Sequence, residues 1–162
     1  MKTSLQDVVV DKSAVMAEPC DLIADWLWLV PDSVEIMLPT ACGDLFLMGH
    51  DGGIAFLDTY VGSCTTVAPT YEKWKELLNS PAQSEEWFRA TLVADLLQAG
   101  LTRQPGQCFS PLVPQVVNGS WEPDNFHTCD LIVHLVTSGQ IHQQVKDLPP
   151  GTKISGFNVV EE

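Results

Sequence analysis

Three histidines and one cysteine near the carboxyl end of the sequence are the residue types best suited to chemistry. They are His127, Cys129, His134 and His142. Neutral imidazole and thiolate are ordinary zinc ligands, so these four side chains offer a metal site as one interpretation. Their spacing does not favour it, because a single residue separates the first pair and seven residues separate the last two. We predict no metal and keep this site as the alternative.

A cysteine nucleophile with a histidine base is the other chemistry that these residue types allow. The chain has five cysteines and four histidines, so accidental pairs are numerous. No nucleophile elbow or oxyanion loop surrounds any of them, and the sequence has neither G-x-G-x-x-G nor a Walker-type loop. The motifs therefore predict no catalytic residues and no cofactor.

His134 and His142 also fit a structural role. At helical spacing they share one stripe with apolar neighbours, namely Leu131, Leu135, Ile141 and Val145. A lone histidine on an apolar stripe is more often a hydrogen-bonded core residue than a ligand. As a strand, residues 131–136 would be apolar on both faces, as in a buried central strand. We favour a helix over most of residues 131–147, with both histidines fixing it to the core.

The hydrophobic pattern also predicts a sheet that this helix would pack against. Apolar runs at residues 45–48 and 54–57 flank a glycine-containing turn at residues 50–53, which is typical of a β-hairpin. A third apolar run at residues 64–67 extends the hairpin into a meander.

Three other segments have helical periodicity. Pro19 followed by Asp21 predicts the start of a short helix, which the spacing of residues 22–29 continues until Pro31 ends it. Residues 71–78 predict a second helix. A third begins at a Ser84 cap and ends at Gly100. The proline- and glycine-rich residues up to 125 predict loops with one short strand.

These elements define the predicted fold class. We expect an α/β (α+β) protein, in which a small antiparallel sheet with a hairpin at about residues 44–58 packs against several amphipathic helices. No linker divides the chain. We treat residues 1–20 as a variable segment and residues 21–162 as a single compact domain.

The charge balance restricts the partners. The 162 residues include 21 acids and 8 bases, which gives a net charge of −13. Such a chain is poorly suited to nucleic acid or an anionic membrane, and it favours a basic partner. The sequence has no CxxC pair and no stretch long enough to span a membrane, and we expect no signal peptide. We expect a cytoplasmic location.

Several motifs together resemble a bacterial family. They are WLWLVP, ACGDLFLMGHDGGIAFLDTYVG, EEWF, PGQCFSPLVPQV and DLIVHLVTSGQIHQQVKDLPPGTKI. The family, a Tdi-like immunity C-terminal domain family, includes immunity proteins paired with DNase toxins of the type VI secretion system. The resemblance covers roughly residues 24–156. The family often has a Gly-Gly pair where this chain has Asn118-Gly119.

The resemblance implies a small α/β protein without enzymatic activity that binds a toxin, expected to be a basic nuclease, and blocks it. Its signature includes His134, Gly139, Gln140, His142 and Gly151. From the exposed character of the loop NGSWEPDN, we predict a contact patch for the partner, consisting of Trp121, Glu122 and Asp124. The alternative is a metal- or small-ligand-binding protein of unknown chemistry.

Overall fold

The larger sheet is an antiparallel meander of four strands in sequence order. The computed structural model describes residues 4–160. The strands are β1 (Val34–Pro39), β2 (Leu45–Gly49), β3 (Ile54–Asp58) and β4 (Ser63–Ala68). The predicted hairpin is confirmed: Asp51 Oδ1 accepts from Gly53 N at 2.9 Å, and Gly52 has a φ of 80°. The predicted third strand is β4.

Helices cover both faces of this sheet. They are α1 (Leu5–Val8), α2 (Pro19–Leu22), α3 (Tyr71–Leu78), α4 (Pro81–Phe88), α5 (Ala90–Gln98) and α6 (Leu131–Val145). Because successive strand residues point to opposite faces, β2 contributes to two cores. Phe46 packs with α3, α4 and α5, and Leu45 and Leu47 pack with α6. The mixed α+β fold predicted from the sequence is confirmed.

A second sheet pairs β5 (Gln107–Pro111) with β6 (Phe126–Asp130) in antiparallel register. Phe109 N donates to Ala41 O at 2.8 Å and ties β5 to the segment just before β2. The one strand expected between residues 100 and 125 is β5. Strand β6 was not predicted, because its five residues include a histidine, a threonine and an aspartate and give only a weak apolar pattern.

Two predicted helices were wrong in their bounds. The helix predicted to start at Pro19 does start there, as α2, but it ends at Leu22. Ile23 leaves the helical region with φ −110° and ψ 2°, so residues 22–29 do not continue the helix. The helix expected from Ser84 begins at Pro81 instead, and Ser84 lies inside α4. It then breaks at Arg89, which has a φ of 47°. The end at Gly100 and the helix α6 are confirmed.

Part of the segment before residue 21 packs against the main sheet. Val8 and Val10 are buried, and Val10 N donates to Pro39 O at 3.0 Å. The division into residues 1–20 and 21–162 stays a prediction, and residues 1–3 and 161–162 lie outside the described residues. No helix within residues 4–160 is both long enough and apolar enough to span a membrane.

Candidate partner-binding surface and its buried charge network

A partly buried arginine joins two strands of the main sheet. Arg89 Nη1 donates to Asp44 Oδ2 at 2.9 Å, and Arg89 Nη2 donates to Asp58 Oδ2 at 2.8 Å. Asp44 directly precedes β2, and Asp58 is the last residue of β3. The left-handed backbone at Arg89 separates α4 from α5 at the point where the guanidinium turns inward. The break between α4 and α5 therefore coincides with the residue that forms both ion pairs.

The remaining hydrogen bonds of the Asp44 carboxylate come from one threonine. Thr59 donates to Asp44 Oδ1 from its backbone N–H at 2.8 Å and from its hydroxyl at 2.9 Å. Burial raises the pKa of Asp44, and the charge of Arg89 opposes that rise. Burial alone would lower the pKa of Arg89, but the two carboxylates raise it, so the guanidinium stays charged. Each hydrogen-bonding oxygen of Asp44 thus has a partner, as a buried carboxylate requires.

His134 extends this network to the second sheet. Its Nε2 lies 2.9 Å from the Thr59 hydroxyl, and its Nδ1 lies 2.9 Å from the Ser110 hydroxyl. The Thr59 hydrogen points to Asp44, so Nε2 must donate to Thr59. Burial lowers the pKa of His134 to about 3, so the ring is neutral near pH 7. With its one hydrogen on Nε2, the neutral ring accepts from Ser110 at Nδ1.

The order Ser110, His134, Thr59, Asp44 has the components of a serine hydrolase relay but not its arrangement. In a working triad the carboxylate contacts the imidazole directly and stabilises the imidazolium that forms. Here a threonine hydroxyl stands between the two, and burial disfavours the imidazolium. Ser110 itself is buried. This geometry fits a network that holds elements together.

His142 makes a parallel contact further along α6. Its Nε2 donates to Thr59 O at 2.9 Å, and its ring centroid lies 5.5 Å from that of Trp26. Trp26 Nε1 donates in turn to Leu135 O at 2.9 Å. Thr59 therefore contacts both histidines, one through its hydroxyl and one through its carbonyl. The two imidazoles lie on the face of α6 that packs on the sheet.

Gly43 leaves room for the His134 ring, and this contact gives a test of the network. A Cβ at Gly43 would lie 2.3 Å from His134 Cδ2, at a φ of 84°. Gly151 has nearly the same φ, 82°, but its added Cβ meets nothing within 4 Å. We expect Gly43→Ala to lower the free energy of unfolding by about 1–3 kcal/mol more than Gly151→Ala, because only the first displaces the buried ring. Urea unfolding of both variants measures the difference, and equal losses would contradict the contact.

The exposed aromatic of the predicted patch rests on this network. Trp121 is 46% exposed and stacks on Tyr60, with ring centroids 5.3 Å apart and an interplanar angle of 25°. The Arg89 guanidinium lies 4.8 Å from the Tyr60 ring and 5.6 Å from the Trp121 ring. The position of Tyr60 is fixed by its hydroxyl, which donates to Phe109 O at 3.0 Å. Trp121 is thus an exposed side chain on a rigid support.

The loop between β5 and β6 carries this tryptophan and is itself pinned. Asn125 is buried and exchanges two hydrogen bonds of 2.9 Å with the backbone of Val113. Asn118 takes the left-handed conformation, and Gly119 approaches Val113 O so closely that a Cβ would lie 1.8 Å away. The Asn118-Gly119 pair therefore supplies the left-handed backbone and the missing side chain that this turn requires.

We define the loop patch as the exposed residues of this loop. Its apolar members are Leu112, Val113, Val116 and Trp121, and its acidic members are Glu122 and Asp124. The structure brings the three predicted contact residues onto one short turn. Large exposed apolar side chains beside carboxylates are typical of a surface that binds a protein.

The other predicted signature residues serve α6 and the segment after it. Gly139 faces Asp25 O, where a Cβ would lie 2.7 Å away, so its small size allows the close approach of the segment at residues 24–26. Gln140 exchanges two hydrogen bonds with the backbone of Val160, at 3.0 Å and 2.8 Å. Gly151 lies in an exposed turn after the helix.

The four residues of the metal alternative occupy separate surroundings. His127 is exposed on β6, Cys129 lies opposite Cys108, and His134 uses both ring nitrogens within the network. Among residues 4–160, no three His, Cys, Asp or Glu side chains are grouped as metal ligands. The geometry therefore gives this alternative no support.

The charged members of the network were not predicted from the sequence. Asp44 and Asp58 border the two most apolar strand segments, and Arg89 is the single cation within the apolar stretch from Trp87 to Leu97. An isolated charge at the edge of a buried element needs a buried partner. That rule marks all three residues as candidates but does not say which of them pair.

Comparison with known proteins bears on the segment that carries the loop patch. Residues 68–142 match the model of the family described as T6SS immunity protein Tdi1, C-terminal. This segment belongs to that Tdi1 family. The resemblance seen in the sequence motifs is confirmed over this range, which includes Arg89, Ser110, Trp121 and His134. Asp44 and Asp58 lie before the matched range.

A solved structure is similar in fold. The crystal structure of Atu4351 from Agrobacterium tumefaciens aligns with a TM-score of 0.52 and 14% sequence identity. The alignment covers 75% of this chain and 62% of that chain, so this chain spans less than two thirds of its length. At this identity the likeness concerns the fold alone. No curated protein matches the chain.

Proposed function

We propose that the chain is a non-enzymatic immunity protein that binds a cognate type VI secretion toxin in the cytoplasm and blocks it. The observation that carries the proposal is the match of residues 68–142 to the Tdi1 family. This range includes the whole loop patch, and the patch has the chemistry of a protein contact. The buried network beneath it is built for rigidity, which limits the entropy lost on binding.

We propose further that the toxin presents a basic surface, as a nuclease does where it holds DNA. The chain has a net charge of −13. Of its cations, Arg89 lies within the network, and Arg103 donates to the backbone carbonyls of Gln6, Asp7 and Val9. Few bases therefore offset the surface acids. Such a surface would attract a cationic partner at long range and raise the association rate.

Trp121 is the expected anchor of the complex. Tryptophan is enriched among residues that dominate binding energy, and here it is exposed yet fixed by Tyr60 and Arg89. Its neighbours Glu122 and Asp124 lie at the rim, where charges mainly adjust rate and salt dependence. Apolar contact would therefore supply the affinity, and the carboxylates would orient the encounter.

The first experiment is a pull-down from the native organism with the tagged chain, at low and moderate salt, with mass spectrometry of the bound proteins. We expect a basic nuclease that loses activity on DNA while bound and dissociates as salt rises. Recovery of a toxin of another class would contradict the nuclease proposal. Absence of any toxin would contradict the immunity function.

Replacement of Trp121 tests the anchor. We expect Trp121→Ala to weaken toxin binding by about 30-fold or more, which corresponds to about 2 kcal/mol. Tyr71→Ala is the matched control, since Tyr71 is an aromatic of similar exposure, 42%, on α3. Calorimetric titration measures both variants after circular dichroism has shown that they fold. Equal effects of the two substitutions would rule out the loop patch as the contact.

Charge reversal separates the rim from the anchor. We expect Asp124→Lys to slow association several-fold at low salt and to have little effect at high salt, because a rim charge acts through long-range attraction. Glu72→Lys is a comparable change on the exposed first turn of α3. Surface plasmon resonance at two salt concentrations distinguishes them. An Asp124→Lys effect that is equal at both salt concentrations would contradict a rim position.

A further inference from the structure

Two cysteines face each other across the small sheet that carries the loop patch. Cys108 on β5 pairs in register with Cys129 on β6. Cys108 is completely buried, whereas Cys129 is partly exposed. Both are free thiols. The pair plays no part in the charge network or in the proposed function.

The backbone of the two strands sets the distance between these residues. Leu131 N donates to Gly106 O at 3.0 Å, and Leu112 N donates to Asn125 O at 2.7 Å. Hydrogen-bonded pairs alternate along an antiparallel ladder, so Cys108 and Cys129 also form such a pair. Opposed Cα atoms at these positions are about 5.5 Å apart, within the range of about 4.4–6.8 Å that disulfides span.

The surroundings of the two sulfurs differ. Cys129 directly precedes Asp130, the cap of α6. The Cys108 thiol lowers the pKa of Cys129 most, followed by the Ser110 hydroxyl and the backbone N–H of His134, while partial burial and the charge of Asp130 oppose this change. Burial above all raises the pKa of Cys108. The partly exposed member of the pair therefore has more of the thiolate character that reacts with oxidants, and the buried member keeps its proton.

We propose that Cys129 and Cys108 form an oxidation site, in which a hydroperoxide converts the two thiols into a reversible disulfide. The Cys129 thiolate attacks a peroxide oxygen: an S–O bond forms, the O–O bond breaks, and the departing oxygen takes up a proton. Cys108 then attacks the sulfenic sulfur, and the S–S bond forms as the S–O bond breaks. Its thiol proton leaves with the hydroxyl group as water. The two thiols lose two electrons, which reduce one hydroperoxide.

The disulfide would join the two strands that carry the loop patch. β5 and β6 hold the two ends of the loop at residues 112–125, so a cross-link between them closes a ring that contains the whole loop patch. A bond across a hydrogen-bonded pair is also easily reduced when its geometry is strained. Dithiothreitol should therefore reverse it.

Peptide mapping of the full chain after treatment with hydrogen peroxide tests the site. We expect a peptide cross-linked through Cys108 and Cys129, which dithiothreitol separates. We also expect Cys129 to lose its reactivity toward iodoacetamide several-fold faster than Cys64, a partly exposed cysteine on β4. Cys129 oxidised no faster than Cys64, or taken to sulfinic acid while Cys108 stays a thiol, would overturn the proposal.

Removal of the buried partner gives a second test. In Cys108→Ala, peroxide should leave a sulfenic acid on Cys129 that dimedone labels, and in the parent chain this label should be brief. Cys42→Ala is the control, because Cys42 is also completely buried but lies outside the pair. Equal labelling of Cys129 in the parent chain and in Cys108→Ala would overturn the proposal. If Cys108→Ala does not fold, the mapping of the parent chain still decides.

Discussion

Replacing Arg89 with methionine is expected to lower the free energy of unfolding by about 3–5 kcal/mol, which is a large part of the stability of a single domain. The substitution keeps much of the side-chain volume but removes the charge. Asp44, which is completely buried, would lose its cation while keeping only its two hydrogen bonds from Thr59. A buried carboxylate without a counterion is among the most destabilising changes known for a protein interior.

Two further variants separate the charge from the packing. Lys73→Met breaks a surface ion pair between Lys73 and Glu76, whose side chains are 51% and 66% exposed, and should cost less than about 1 kcal/mol. Adding Asp44→Asn to Arg89→Met should recover part of the loss, because it removes the unpaired charge. Denaturant unfolding of the parent chain, Lys73→Met, Arg89→Met, Asp44→Asn and the double variant gives the comparison. A double variant as unstable as the sum of its single changes would show that the two residues do not act as a pair.

Acid should destabilise the protein through His134. The pKa of this imidazole falls from the ordinary 6.5 to about 3 in the folded chain. Its contribution to stability is complete above pH 6.5 and is lost as pH falls toward about 3, because the unfolded chain takes up a proton that the folded chain refuses. The expected loss is about 1.4 kcal/mol per pH unit within this window.

Asp44 and His142 also change the unfolding free energy with pH over the range from about 3 to 6.5. Their contributions must be separated from that of His134. The pKa of Asp44 is raised by burial, so its own contribution to stability changes with pH in the opposite direction. The pKa of His142 is lowered, again mainly by burial. His134→Gln keeps both groups and removes only the imidazole in question. Unfolding free energies of the parent chain and His134→Gln should converge as pH falls below 6.5, and a constant difference would contradict a neutral buried His134.

The apolar pattern of the sequence predicts much of this fold. The hairpin, β4, α3 and α6 follow from periodicity and glycine placement, since burial of a strand or of a helix face leaves a repeating signal. The start of α4 at Pro81 and the break between α4 and α5 cannot be predicted from the apolar pattern. A helix continuing from α4 through α5 satisfies every local preference, and only the distant carboxylates of Asp44 and Asp58 explain why the chain turns at Arg89.

The predicted site shows the same limit. Trp121, Glu122 and Asp124 are recognisable because a polar loop with one tryptophan is unusual, and their role in binding stays a prediction. The packing of Trp121 on Tyr60 and Arg89 cannot be predicted from the sequence. Tyr60 is 61 residues away along the chain, and its position beneath the loop depends on how β3 packs against β5.

Thr59 has hydrogen-bond partners both before and after it in the sequence. Asp44 precedes it, and His134 and His142 follow it on α6. None of the contacts with the imidazoles can form until α6 has been synthesised and docked. Long-range closure of this kind slows folding and makes unfolding cooperative. A nascent or truncated chain that ends before residue 131 would expose the apolar underside of the sheet and offer a substrate to proteases. Newly made copies would therefore reach the native fold only after α6 has emerged from the ribosome.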